Sequence, residues 1–287
     1  MKIAVVSGKG GVGKSMIASS FAILFSKRGK KIVACDCDVD APNMAIWLGI
    51  RKSKLIRKVK TSKKSFIKNQ KEAKKCNLDP KICKFGAISL ENGKYKINRF
   101  LCEGCGLCNA LCPKGFGLKD VENAEIRIVN TKFGFPLIFA QLYPGETGSG
   151  KIVDETVKEA EKFDHEIMII DSSAGVGCPV NASLKVANYA IIVVEPSLSS
   201  YADMKRVLRV IKYFGIEFFV LINKFNLNEK VSKKIENEFK DRIIGKISYS
   251  EKLIDCLSKF KTAFCDEKIK KEIEKSFENF LKKLNLK

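Results

Sequence analysis

The chain has 287 residues, 45% of them hydrophobic, enough to bury one large core with or without a smaller insert, and this excludes a disordered chain. Its 53 Lys and Arg against 32 Asp and Glu leave a formal charge of +21, but no aromatic interleaving or recognition motif accompanies the charge, which favours solvated surface or docking of an acidic partner over nucleic acid. Eleven cysteines without a secretory signal, and no apolar stretch of membrane-spanning length, point to a cytoplasmic protein with metal or redox chemistry rather than a disulfide framework.

The run from Lys2 to Val6 reads as a strand, Gly8 to Ser15 as a glycine loop and Met16 to Phe25 as a helix. This order fits G-x-x-x-x-G-K-[ST], in which backbone N–H groups and a helix N-terminus surround a polyphosphate. Gly8, Gly10, Gly11, Val12, Gly13 and Met16 then form the cradle, Lys14 serves the β and γ phosphates, and Ser15 reaches Mg²⁺. Lys9 stands just after the first glycine, so that Lys9 to Ser15 reads K-G-G-x-G-K-S and resembles the MinD/ParA group of deviant Walker A ATPases. The resemblance implies ATP as the nucleotide and a homodimer through the nucleotide face, in which Lys9 reaches the partner's nucleotide.

Lys31 to Cys35 reads as a buried parallel strand that delivers Asp36, Asp38 and Asp40 at its carboxyl end, beside the phosphate loop. By resemblance to the family's D-x-D, Asp38 orients the hydrolytic water and Asp36 supports the metal shell. Cys35 and Cys37 read as small buried residues, and Trp47 as core.

From Arg51 to Asn130 the alternation of strand and helix stops, which marks an insert rich in lysine up to Lys75. Cys102, Cys105, Cys108, Cys112 and Pro113 form C-x2-C-x2-C-x3-C-P, the bacterial ferredoxin run. Zinc is the other reading, but zinc sites more often pair two separated C-x2-C arms. Cys83 resembles the last cysteine of a preceding run, which completes a [4Fe-4S] set of Cys83, Cys102, Cys105 and Cys108. Of that preceding run only Cys76 is in register, with Asp79 and Ala73 where cysteines are expected. Cys76, Asp79 and Cys112 are therefore the remains of a second cluster that is lost, reduced to three irons, or completed by another ligand.

Lys132 to Leu142 is strand-like, and Pro144 to Val153 resembles the P-G-E-x-x-S-G-K-[IL]-V stretch of MinD-type ATPases that carry an inserted ferredoxin domain. From the residues alone it is a flexible loop capping a helix from about Lys151 to Phe163. His165 to Asp171 is a strand ending in the Walker B acid, so Asp171 senses Mg²⁺, and Ser172 to Val180 resembles switch II. Cys178 reads as a structural cysteine at a helix start, with a bridging cluster at a dimer interface as the other reading. Tyr189 to Pro196 and Phe218 to Lys224 are further strands; Asn223 resembles the family's adenine contact and equally suits a turn after a strand. Cys256 and Cys265 read as core cysteines, and no C-terminal membrane helix with a clear apolar face is read.

The expected architecture is α/β, a doubly wound, mostly parallel P-loop sheet formed by residues 1–50 and 131–287, with a small α+β ferredoxin-like insert at 51–130. Two functions follow from these motifs. Nucleotide state adjusts electron transfer from the cluster to a redox partner, or the dimer carries a cluster to an apo iron–sulfur protein.

Overall fold

A computed structural model describes residues 1–285. The chain divides into two compact units, one formed by Met1–Ile56, Ile126–Gln141 and Ser149 onward, the other by Arg57–Glu125 and Leu142–Gly148. The second unit is thus shorter at both ends than the insert expected from the sequence, and it gains the loop after residue 141.

The first unit is built on a nine-stranded sheet. In chain order it contains β1 (Lys2–Ser7), α1 (Lys14–Lys27), β2 (Ile32–Cys37) and α2 (Met44–Trp47), and the chain leaves it in β3 (Lys54–Val59). The second unit holds β4 (Ser62–Ile67), α3 (Gln70–Cys76), β5 (Ile88–Glu91), β6 (Lys94–Ile97), α4 (Leu107–Leu111) and β7 (Phe116–Val121). The chain returns through β8 (Ala124–Asn130) to β9 (Pro136–Leu142), α5 (Ser149–Ala160), β10 (Ile167–Ala174), α6 (Cys178–Lys185), β11 (Tyr189–Val194) and α7 (Leu198–Tyr213). It ends with β12 (Glu217–Asn223), α8 (Glu229–Glu238), β13 (Ile243–Ile247), α9 (Lys252–Ser258) and α10 (Glu267–Lys283).

The strand order is β13-β12-β11-β1-β10-β2-β9-β8-β3. All pairs from β13 to β9 are parallel, so their side chains are covered on both faces and the strands read as continuous apolar runs. β1 lies between β10 and β11, where the winding reverses direction, and the carboxyl ends of these strands form the crevice at which doubly wound sheets bind ligands.

Helix α1 is buried along its whole length from Met16 to Phe25, as expected of a helix that is apolar all round. Its Phe21 and Phe25 rings meet Phe277 of α10 edge to face at 5.3 and 4.7 Å. Helix α10 has a clear apolar face after all, formed by Ile269, Ile273, Phe277, Phe280 and Leu281, but that face is buried in the protein's own core. No helix among the described residues is long and apolar enough to cross a membrane.

The second unit has two antiparallel pairs, β4 with β7 and β5 with β6. The lysine-rich stretch after Arg51 forms β3, β4 and α3. Cys256 and Cys265, expected as separate core cysteines, are joined in a disulfide, as are Cys76 and Cys112.

Because Phe277 joins α10 to α1 at a site 1% exposed, Phe277→Ala should lower stability by about 3–5 kcal/mol in denaturant unfolding. A loss below about 1 kcal/mol would mean that α10 docks independently of this contact.

Candidate functional site

The loop after β1 is shaped by steric need. Gly13, the N-cap of α1, has a φ of 98°, and a Cβ there would stand 2.3 Å from the Asn223 side-chain nitrogen. Gly8 is pressed against the backbone of Asp203, also at 2.3 Å from where a Cβ would be. Ser7 ties the loop with a hydrogen bond from its hydroxyl to the Lys9 carbonyl at 2.7 Å. Gly10 and Gly11 are exposed, while Val12, Lys14 and Met16 are buried and Ser15 is half-buried at the start of the helix.

Lys14 is buried and pulls on two carboxylates, the buried Asp171 and the half-buried Asp38. Asp171 and Asp36 stand in register on β10 and β2, both 0% exposed. Neither oxygen of Asp171 has a hydrogen-bond partner. Burial pushes its pKa up to about 6, against the opposing pull of the Lys14 ammonium. A buried carboxylate left unsatisfied beside a phosphate loop has the chemistry of a Mg²⁺ shell residue.

Asp36, expected to support the metal shell, is also bound to the backbone. Its two oxygens accept the N–H of Asp38 at 3.0 Å and of Met44 at 2.8 Å, so it fixes the turn after β2. Burial, then the neighbouring Asp171, raises its pKa well above the usual carboxylate range. Asp38 is half-buried and accepts a 3.3 Å hydrogen bond from Ser173, which also donates to the Cys37 carbonyl. Burial raises the Asp38 pKa, with Lys14 and Ser173 pulling against it. The segments after β2 and at the end of β10 are thus linked through one hydroxyl.

Lys9 is held within its own chain. Its ammonium lies 2.9 Å from one oxygen of Glu195, whose other oxygen is 3.1 Å from Lys224. Lys224 in turn donates to the Gly11 carbonyl at 3.0 Å. Burial opposes the Glu195 charge, but these hydrogen bonds hold its pKa below the ordinary value.

Asn223 is 4% exposed and donates to the Val12 carbonyl at 2.8 Å, so it braces the phosphate loop. It also lines a cavity of about 240 Å³ with Gly13, Met16, Trp47, Tyr249 and Leu253. The size and apolar walls of this recess suit a nucleobase. Trp47, expected as core, is half-buried in this wall, and the contribution of Tyr249 and α9 was missed. The only signal for the latter was apolar residues on both sides of a short helix, which does not distinguish a pocket wall from packing.

In the second unit, Cys83, Cys102, Cys105 and Cys108 line one cavity of about 60 Å³. The Ser65 N–H points at the Cys102 sulfur at 3.3 Å, the Ala87 N–H at the Cys83 sulfur at 3.3 Å, and the Ser65 hydroxyl lies 3.1 Å from the Cys108 sulfur. No three His, Cys, Asp or Glu side chains among the described residues converge on a single-ion site. Gly104 has a φ of 66°, and a Cβ there would lie 2.0 Å from the Lys63 carbonyl oxygen. That glycine permits the close contact with β4.

Lys64 belongs to the basic stretch assigned to surface, yet it is 1% exposed. Its ammonium donates to the Cys102 carbonyl at 2.8 Å and lies 3.5 Å from the carboxylate of Glu146, which also pairs with Arg99 at 2.9 Å. The Pro-Gly-Glu loop expected to be flexible is therefore anchored by its acid.

The residues of the remnant set are engaged elsewhere. Asp79 accepts the Lys81 N–H at 2.9 Å, Ala73 is fully buried, and Cys76 is bridged to Cys112. Cys35 and Cys37 are buried with their sulfurs 3.5 Å apart. Cys178 is an exposed free cysteine at the start of α6.

Residues 3–263 match the model of the CobQ/CobB/MinD/ParA nucleotide-binding domain. The chain is 37% identical over 79% of its length to an uncharacterised protein of Methanocaldococcus jannaschii, with 79% of that protein covered. It is 28% identical to an uncharacterised ATP-binding protein of the same organism over 99% of both chains. In fold it is similar to the MinD cell division protein of Aquifex aeolicus, with a TM-score of 0.60 at 19% identity over 98% and 96% of the two chains. It is equally similar to MinD of Pyrococcus horikoshii in complex with Mg-ADP, at a TM-score of 0.60 and 16% identity over 97% and 95%.

An unfolded aspartate ionises near 3.8 and Asp171 near 6, so the folded, nucleotide-free protein holds the extra proton between these values and loses stability as pH rises through them. Each unit of that difference is worth about 1.4 kcal/mol. Asp171→Asn should flatten this pH dependence, raise nucleotide-free stability at neutral pH and abolish Mg²⁺-dependent hydrolysis. A variant no more stable than the parent in denaturant unfolding at pH 8 would contradict the unpaired charge.

Proposed function

The chain belongs to the CobQ/CobB/MinD/ParA nucleotide-binding family and is a P-loop ATPase of the MinD type, and on that premise we propose that it couples ATP turnover to electron transfer from an iron–sulfur insert. The observation that carries the second half is the single cavity walled by four cysteines, three of whose sulfurs meet N–H or O–H donors. Such donors stabilise thiolates, and hydrogen bonds to sulfur help set a cluster's potential.

In the first unit the residues have separable tasks. The loop N–H groups and Lys14 bind the phosphates of ATP. Ser15 and Asp171 hold Mg²⁺, which when bound neutralises phosphate charge. Asp38 orients the attacking water, and Ser173 transmits the loss of the γ-phosphate between the two switch segments. Trp47, Tyr249 and Leu253 form the wall for the adenine beside Asn223. The active form is a homodimer in which Lys9 leaves Glu195 to reach the partner's nucleotide, and Glu195 restrains that exchange in the single chain.

In the second unit, a ferredoxin-like insert, Cys83, Cys102, Cys105 and Cys108 hold one [4Fe-4S] cluster, which when bound supplies a one-electron site. Cys102 and Cys108 are buried, which favours retention over transfer of the cluster. Lys64 places a positive charge behind Cys102 and Glu146 offsets it, so the net charge around the cavity depends on the loop that leads into α5. A redox protein is the partner of this reading.

Iron and acid-labile sulfide, measured on anaerobically purified protein before and after MgATP with an apo-ferredoxin acceptor, should stay at about four irons per chain. ATP-dependent loss to the acceptor would instead make the protein a cluster carrier. Cys105→Ser should remove visible absorbance and leave ATP binding intact; an unchanged spectrum would mean that the cavity holds something else. Glu195→Ala should lower the protein concentration at which ATP-bound chains dimerise in light scattering, and an unaltered midpoint would show that Lys9 is not restrained.

A further inference from the structure

The two cysteines excluded from the cavity meet each other. Cys76 and Cys112 have Cα atoms 6.1 Å apart, a separation that suits a bridge, and they are joined. The chain packs closely beside them. A Cβ on Gly115 would meet the Ala73 backbone at 2.6 Å and the Cys112 sulfur at 2.7 Å, so close-packed chain fills this region.

The two ends of the bridge differ. Cys76 is exposed at the last position of α3, and Lys74 and Lys75, also exposed, stand directly before it. Cys112 is fully buried in the apolar cluster that also contains Cys108 and against which Cys83 packs. Exposed disulfides are the exchangeable ones, and nearby cations favour the approach of a thiolate.

The bridge also pins a weak element. Helix α4 has only five residues, too few to be stable alone. Cys108 lies on it and Cys112 caps its end, the Cys112 N–H donating to the Cys108 carbonyl at 3.0 Å. The end of α4 is therefore tied to α3 by the sulfur–sulfur bond.

We propose that Cys76–Cys112 is a reversible thiol–disulfide site, attacked at Cys76 by a dithiol reductant, whose oxidised state fixes Cys108. The reductant's thiolate forms a bond to the Cys76 sulfur, the Cys76–Cys112 bond breaks, and the electron pair leaves on Cys112, which takes a proton. The reductant's second thiolate then attacks its own sulfur in the mixed disulfide and releases Cys76. The dithiol is oxidised by two electrons and the bridge is reduced by two. The effect on Cys108 rests on the reading of that residue as a cluster ligand; the exchange itself does not.

The test uses the full chain. In peptide mapping, dithiothreitol followed by alkylation should label Cys76 and Cys112 together, and the bridge should re-form on oxidation of the folded protein. Cys112→Ser with oxidised glutathione should accumulate a mixed disulfide on Cys76, whereas Cys76→Ser should leave Cys112 unmodified. Equal labelling of the two variants, or a bridge that resists the dithiol until the chain unfolds, overturns the exchange. If Cys112→Ser fails to bind ATP and is misfolded, the reduced parent protein answers the same question, because limiting alkylating agent should modify Cys76 first. Iron release to a chelator should be several-fold faster after reduction of the bridge. Equal rates overturn the link to Cys108, while absence of iron in both states overturns the cluster reading and leaves the exchange result to stand on its own.

Discussion

Buried charge in the crevice at the end of β1 is the constraint on which the first unit depends. Lys14 and Asp171 are both removed from water, and Asp171 has no hydrogen-bond partner. Such a group is unfavourable in the empty protein and becomes favourable when a divalent cation and polyphosphate supply the missing charges. The wide parallel sheet and the all-round burial of α1 provide the rigidity that keeps these groups in place, since a mobile loop would let water relieve them. Binding energy for the nucleotide is in this sense stored in the fold.

The second buried charge follows the same logic with a different outcome. Lys64 is neutralised by Glu146, and its remaining donor capacity goes to the Cys102 carbonyl. A buried pair of this kind contributes little net stability but is costly to break, so it specifies one position for the Pro-Gly-Glu loop.

Lys9, the second lysine of the loop, is held within the chain. Its ammonium is satisfied by Glu195 in the same chain, and Lys224 shares that carboxylate. The pair is partly exposed, so its exchange for a stronger anion is cheap. A polyphosphate is such an anion.

The phosphate loop, the Walker B acid and the alternation of strand and helix were legible in the sequence because each rests on local geometry: glycines where φ is positive, an acid at the end of an apolar run, a period that changes between strand and helix. The four cysteines around one cavity were legible for the same reason, their spacing being that of a single turn-and-helix run plus one distant member. What the tertiary structure alone decided concerns groups whose neighbours are remote in sequence. Lys64 reads as surface until Glu146 and the Cys102 carbonyl are brought to it, and the hold of Asp36 on the Met44 N–H is invisible until the chain turns back. Cys76 and Cys112 read as broken ligands until packing closes the space between them. Composition and spacing determine which residues can do chemistry; which of them are spent on structure depends on burial and partners, and these are set by the fold.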